Sequence, residues 1–258
     1  MANALAQLGH KSLQVVQQLG HMAAFAASIG WSAVTPPIRP AAFVRELYKL
    51  GVLSLIIIVV CGLSVGMVLG LQGYHTLERF GAQQSLGALV GLSLIRELGP
   101  VITALLVTGR AGSAATAEIG SMVATEQLDG LRMQSIDPVR LVVMPKAMAM
   151  ILVMPLLTAI FILCGLYGGY LVGVGLMGGD PGLYMASIRT AVDFSNDIEA
   201  CLLKAAVFGV LVGLIATYRG YTSAPNAEGV SAATTSTVVL GSVVVLLADY
   251  VVTALWGV

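Results

Sequence analysis

Apolar residues run through this chain in blocks, and five of the blocks are long enough to cross a bilayer as helices. A helix needs about 20 predominantly apolar residues to span the hydrocarbon core. The qualifying segments are 50–71, 86–108, 141–177, 200–218 and 233–256. The third is too long for a straight span and too short for two spans with a turn. Pro145 and Pro155 inside it predict one kinked or strongly tilted helix. Upstream, Leu5, Leu8, Leu13, Val16, Leu19, Met22 and Phe25 recur at helical spacing opposite Gln7, Lys11, Gln14 and Gln18. That pattern predicts an amphipathic helix lying in the membrane interface. A second short interfacial piece, 40–49, leads into the first span. The chain thus divides into an interfacial part, 1–49, and a five-span part, 50–258. The first 40 residues lack a compact apolar core, so they do not read as a cleavable signal peptide.

Composition agrees with the pattern. Of 258 residues, 57% are hydrophobic and only 10% charged, against about 25% charged in an ordinary soluble domain. Such a chain cannot cover itself with a water-facing surface, and its fold class is an all-α integral membrane protein. Thirteen basic residues balance thirteen acidic ones, so no bulk field points to nucleic acid. Cys61, Cys164 and Cys201 lie in apolar segments at spacings that suggest neither metal nor disulfide.

Basic residues set the expected orientation. With the N-terminus inside, the cytoplasmic segments hold Lys11, Arg39, Arg45, Lys49, Arg110, Arg132, Arg140, Lys146 and Arg219, while the external ones hold only Arg79 and Arg189. This is a positive-inside signal. An odd number of spans puts the C-terminus on the outer side.

Glycines recur every fourth position: Gly62, Gly66 and Gly70; Gly87 and Gly91; Gly165, Gly169 and Gly173; Gly209 and Gly213. In lipid the hydrophobic effect does not drive helices together, and small residues let backbones approach closely. The spacing fits either a compact bundle or a seam between two copies.

Chemistry for catalysis is sparse. No phosphate-binding glycine loop with Lys-Ser/Thr, no nucleophile elbow and no metal-ligand spacing among His10, His21 and His75 occurs. Asp180, Asp193, Asp197 and Glu199 read as a solvated external face. Three features remain. Arg96 and Glu97 sit near the middle of the second predicted span, as a mutual ion pair or as the wall of a wet cavity, with Pro100 three residues on to loosen the helix. Lys204 lies in the fourth span, with Asp249 as a weakly supported partner. Finally, 110–137 is a polar segment between spans two and three. It carries Glu118, Glu126 and Asp129 opposite Ile119, Met122, Val123, Leu128 and Leu131, the make-up of a helix that seats in a partner's groove.

The stretch LSLIRELGPVITALLVTGRAGSAATAEIGSMVATEQLDGLRMQSIDPVRLVVMPK, residues 92–146, closely resembles the MlaE permease family. This is the membrane subunit of a bacterial ABC system that moves phospholipids between inner and outer membranes and maintains outer-membrane lipid asymmetry. The resemblance runs from about Arg45 to the C-terminus and is strongest at 96–100, 117–129 and 137–145. It implies a homodimer in the bacterial inner membrane, paired with cytoplasmic ABC ATPase subunits, a STAS-domain subunit and a periplasmic hexamer of MCE domains. ATP hydrolysis then belongs to a partner, and no cofactor is expected in this chain.

On this reading, one helix at about 117–131 couples to the ATPase through Glu118, Ile119, Met122, Glu126, Asp129 and Leu131. Leu69, Leu77 and Phe80 pack against lipid tails, with Gln72 and Leu94 beside them. Glu97, balanced by Arg96, forms a polar wall, and Lys204 meets the phosphate. Ser231, Thr234, Thr235, Ser236 and Thr237 permit close approach of the fifth span to its copy. The competing reading is an ion-coupled secondary transporter using Arg96, Glu97 and Lys204. Such transporters commonly carry internal repeats of spans, and none is evident.

Overall fold

The structure is a computed structural model and describes residue 17 and residues 20–32 and 40–256. The amphipathic positions Leu5, Leu8, Leu13, Val16 and Leu19 lie outside the described residues. Its helices are α1 (20–32), α2 (Pro40–Leu50), α3 (Leu55–Glu78), α4 (Leu86–Ser93), α5 (Gly99–Val107), α6 (Ser113–Ala124), α7 (Gln127–Met133), α8 (Met144–Tyr170), α9 (Pro181–Ala191), α10 (Glu199–Tyr221) and α11 (Ala227–Trp256). Five rods, Pro40–Glu78, Gln83–Ala124, Val139–Leu176, Ser195–Tyr221 and Ala227–Leu255, are long and apolar enough to cross a membrane. The bundle end where α1 docks is called the near end, and the opposite end the far end.

The glycine periodicity is spent inside the chain. Gly62 and Gly70 of α3 face the main chain of Phe161 and Gly169 of α8, and Gly66 meets Gly165 backbone to backbone. Gly209 and Gly213 of α10 meet α8 at Met150–Ile151 and at Ala147. With side chains absent from these contacts, α8 becomes the axis on which α3 and α10 pack, around Ile58, Leu94, Met154, Phe161 and Phe208. Gly87 does something else: it lies under the main chain of Tyr184 in α9, a helix outside the spans. Asp180 caps α9 by accepting from the Leu183 N–H at 2.9 Å. Tyr184 donates to the Leu166 carbonyl at 3.1 Å, and burial pushes its phenol up to about 12. The connection after the third span is therefore tied to the bundle.

The third rod is a single helix, as its length and prolines predict. Pro145 follows the π-turn Val139–Val143, in which the Met144 N–H reaches back to the Val139 carbonyl, and Pro155 lies further inside the rod. The second rod departs from expectation. It continues sixteen residues past Thr108 to Ala124, through π-turns at Leu94–Leu98 and Thr108–Gly112. Forty-two residues at 1.5 Å each make a rod about twice as long as a bilayer core is thick, so Arg96 and Glu97 lie in its far third rather than its middle.

At the near end, α1 seats Phe25 against Tyr218 and Tyr221, with ring centres 5.5 and 5.4 Å apart, and buries Ile29 on Val143, Met144 and Ala147. α11 is the least covered rod. Its packed edge is Ala233, Thr237, Gly241 and Val245, one residue every four, while Val239, Val243, Leu246, Leu247 and Tyr250 stand exposed.

Candidate functional sites

The far-end site begins with a proline. Pro100 has no N–H to bond the carbonyl of Arg96 four residues earlier. In the π-turn just before it, the Gly99 N–H reaches back five residues to the Leu94 carbonyl. The Arg96 carbonyl then accepts from the Lys204 ammonium of α10 at 2.9 Å. Lys204 also lies 3.2 Å from the Glu97 carboxylate, 3.0 Å from Asp249 and 2.9 Å from the Thr253 hydroxyl, both of these on α11. Thr253 in turn donates to Glu97 at 3.2 Å. Groups on the second and fifth rods thus converge on one cation of the fourth.

Arg96 turns elsewhere. Its Nε donates to Asp197 at 2.9 Å, and the other oxygen of that carboxylate accepts the Asp193 main-chain N–H at 2.9 Å. Asp197 sits in a π-turn, Phe194–Ile198, that leads into α10. Adjacent helical residues point about 100° apart, which sends Arg96 and Glu97 to different partners. The expected Arg96–Glu97 pair is therefore not formed, and Lys204, not Arg96, neutralises Glu97. The reading of the external acidic residues as a solvated face fails for Asp197, whose side chain is 1% exposed. Asp249, by contrast, does partner Lys204.

The cavity lined by Arg96, Glu97, Asp197, Ala200, Lys204, Val252 and Thr253 holds only about 20 Å³, room for roughly one water. Yet the Arg96 and Glu97 side chains remain 40% and 43% exposed. The cluster is sealed toward its own chain and open on the bundle's outer face. Lys204 is 5% exposed and fully engaged, so it is a keystone of the cluster rather than a free phosphate ligand. Leu94 is completely buried against Gly165 and cannot touch a ligand. Leu69 and Leu77 are half-buried against the core, while Gln72 and Phe80 are exposed, Phe80 at 80%.

At the near end the structure replaces the single helix expected at 117–131. α6 stops at Ala124, Glu126 adopts a left-handed backbone at φ 56°, and α7 starts at Gln127. Glu118 and Ile119 belong to the long second rod. Ile119 is fully buried against Gly220, so it anchors α10 instead of facing a partner. Glu118 accepts from Lys49 at 2.9 Å and from Lys146 at 2.7 Å; Lys146, 3% exposed, also bonds Glu46 at 2.8 Å. This network joins α2, α6 and α8. Arg110 adds two bonds of 2.8 Å, to the Lys49 carbonyl and the Ser54 hydroxyl, where a short 3₁₀ turn separates α2 from α3.

α7 itself is bracketed by left-handed residues, Glu126 and Ser135 at φ 58°. Leu128 is its buried anchor. Arg132 donates to the Tyr221 hydroxyl at 2.6 Å and to Asp129 at 2.7 Å. The surface it offers is Glu126, Asp129 and Met133, the last 85% exposed; Met122 and Leu131 are half-buried.

Sequence reasoning missed Glu46, Lys146, Asp197, Thr253 and Met133. Lys146 followed a span boundary and Asp197 a polar loop, so each looked solvated. The available signal was a lone charge at the edge of an apolar block, which demands a partner on another rod. Among the described residues no cluster of His, Cys, Asp or Glu could hold a metal ion.

Comparison with known proteins gives one consistent answer. The family model described as Permease MlaE matches residues 43–255. The chain is 47% identical to the intermembrane phospholipid transport system permease protein MlaE of Haemophilus influenzae, over 99% of this chain and 98% of the relative. It is 37% identical to a probable ABC transporter permease protein of Rickettsia bellii, over 99% and 98%. It is 33% identical to the chloroplastic protein TRIGALACTOSYLDIACYLGLYCEROL 1 of Arabidopsis thaliana, over 81% of this chain and 60% of that one.

Proposed function

The chain belongs to the MlaE permease family, and from that premise we propose that it is the membrane permease of an ABC transporter that moves phospholipids between the two membranes of a bacterial envelope. ATP hydrolysis takes place on a cytoplasmic partner. The near end is the cytoplasmic end, in keeping with its basic residues, so the N-terminus faces the cytoplasm and the C-terminus the periplasm of the inner membrane.

The observation that carries the reading is the exposure of Arg96 and Glu97 on the outer face of an apolar rod. Charges on a span face a bundle interior or a wet cavity, not hydrocarbon, and within one chain that cavity has no far wall. A second copy related by a two-fold axis along the membrane normal supplies the wall. The duplicated faces, with Gln72, Leu77 and Phe80 toward the far end, then enclose a slot with a polar margin for the headgroup and apolar walls for the tails. The thinly covered face of α11 lies toward the axis. A STAS-domain subunit and a periplasmic MCE hexamer complete the assembly, which serves the lipid asymmetry of the outer membrane.

α7 is the segment that the ATPase grips, through Glu126, Asp129 and Met133. An ion-coupled transporter would need Lys204 free to exchange partners, and no observation favours that.

The test is expression of the tagged chain in its native host, followed by purification and reconstitution. The reading expects an ATPase to co-purify and ATP-dependent movement of labelled phospholipid between liposomes and an acceptor. Lipid movement driven by a proton or sodium gradient without ATP would overturn it.

A further inference from the structure

On the opposite flank of the bundle, in its near half, a second feature stands apart from the charged cluster. An apolar groove of about 420 Å³ opens between α2–α3 and α8. Its walls include Leu47, Tyr48, Val52, Leu152, Leu156 and Ile160, and Val52, Leu152 and Leu156 are exposed toward the membrane. Ile160 lies at its deep end. From Leu152 to Ile160 the helix rises about 12 Å, close to the half-thickness of a hydrocarbon core about 30 Å deep. The groove is therefore about one leaflet deep and starts at the interfacial helix.

The shape and lining favour hydrocarbon over protein. Helices that associate in lipid do so through small residues that bring backbones together, and the chain has spent those on α3, α8 and α10. This groove is walled mainly by long aliphatic side chains around a concavity, which a flexible chain fills and a rigid helix does not. One polar group stands beside its end. Arg45 is exposed on α2, one helical turn from Tyr48, and among the described residues it makes no ion pair. Its neighbour Glu46 points the other way, into the bundle, to Lys146. An exposed guanidinium next in sequence to Val44, which lines the end of an apolar groove one leaflet deep, complements a phosphate attached to an acyl chain.

We propose that this groove binds one acyl chain of an anionic phospholipid from the near leaflet, with the headgroup at Arg45, as a resident lipid separate from the transported one. Because α2 forms one wall and is bonded through Glu46 and Lys146 to Glu118 on α6, the resident lipid sets how α2 sits against the rod that leads into α7.

The experiment uses the full chain in phosphatidylcholine nanodiscs, with a photoreactive residue in place of Leu156 or Val52. Exposed control positions are Leu163 and Tyr167, both on α8 outside the groove. One arm carries trace radiolabelled phosphatidylglycerol and the other trace radiolabelled phosphatidylcholine. Expected is severalfold greater labelling at the groove than at the controls, with phosphatidylglycerol preferred and the preference removed by Arg45→Gln. Equal labelling at groove and controls means a fluid lipid annulus and overturns the proposal. So does groove labelling without headgroup preference, or a preference that survives Arg45→Gln. Crosslinking to a second copy would assign the groove to an oligomer seam and overturn it as well. Because no transport is measured, the outcome is independent of the ATP-driven reading above.

Discussion

Lys204 reaches from the fourth span to the main-chain carbonyl of Arg96 at 2.9 Å, an acceptor that is free because Pro100 has no N–H to offer it. The same ammonium holds Glu97 and Asp249, so three rods depend on one cation. Lys204→Met is expected to abolish ATP-driven lipid transfer while the protein still inserts, because two neighbouring carboxylates are left unpaired in an apolar setting. Adding Glu97→Gln or Asp249→Asn should restore part of the activity. Full activity of the single variant in a reconstituted transfer assay would show that the cluster is dispensable.

The Arg96–Asp197 pair is testable by exchange. Asp197→Ala should lower transfer by an order of magnitude or more, since Asp197 also fixes the Asp193 N–H at the entry to α10. The Arg96→Asp, Asp197→Arg double variant should recover a measurable part of the loss. Recovery no better than the worse single variant would mean that the two act apart.

At the end of the bundle where α1 docks, Lys146 is the buried cation between Glu46 and Glu118. Removing one member of a buried pair costs about 3–5 kcal/mol. Lys146→Met should therefore lower the thermal unfolding midpoint in detergent clearly, and Lys146→Met with Glu46→Gln should lower it less. A double-variant loss equal to the sum of the single losses would deny the coupling.

For the ATPase contact, Ile119 and α7 make opposite predictions. Ile119→Arg should destabilise the bundle, because the side chain is fully buried against Gly220. Glu126→Lys and Met133→Asp should leave the unfolding free energy within about 0.5 kcal/mol of wild type, as surface changes do, yet reduce capture of the ATPase on a tagged permease. Undiminished capture by both α7 variants would place the contact elsewhere.

Crosslinking separates the two sides of α11. Thr237, expected from sequence to face a second copy, is completely buried, its hydroxyl 3.0 Å from that of Thr116 in the same chain. A cysteine at Val239 or Val243 should form interchain disulfides on mild oxidation, and one at Thr237 should not. Interchain bonds at Thr237 with none at Val239 or Val243 would reverse the assignment of faces.

Much of the fold was legible because bilayer physics reduces it to length and polarity. Five apolar blocks gave five rods, and most of the basic residues lie toward one end. What remained hidden was contact across rods. Arg96 and Glu97 are adjacent in sequence, which invited pairing them, but helical geometry points them apart and long-range partners at Asp197 and Lys204 take them. The extent of the second rod was hidden too. Its last turns, Ser113–Ala124, are rich in small and polar residues and read as part of a separate coupling segment, yet Gly120 and Thr116 pack on the fourth and fifth rods. Tertiary packing, not local propensity, holds that part helical. The coupling positions were assigned by amphipathic spacing, which cannot distinguish a face turned toward a soluble partner from one turned toward a sister helix.

The meeting of Gly66 and Gly165 carries a mechanical meaning. Where two main chains touch without side chains between them, neither can slide by a turn without its neighbouring larger residues colliding, so the first and third rods are keyed together like a rack and its pinion. A transport cycle that widens and narrows a passage cannot draw its stroke from that joint. The rod with the fewest such interlocking teeth is α11, held along a single edge of Ala233, Thr237, Gly241 and Val245 that runs on to Asp249 and Thr253 at Lys204.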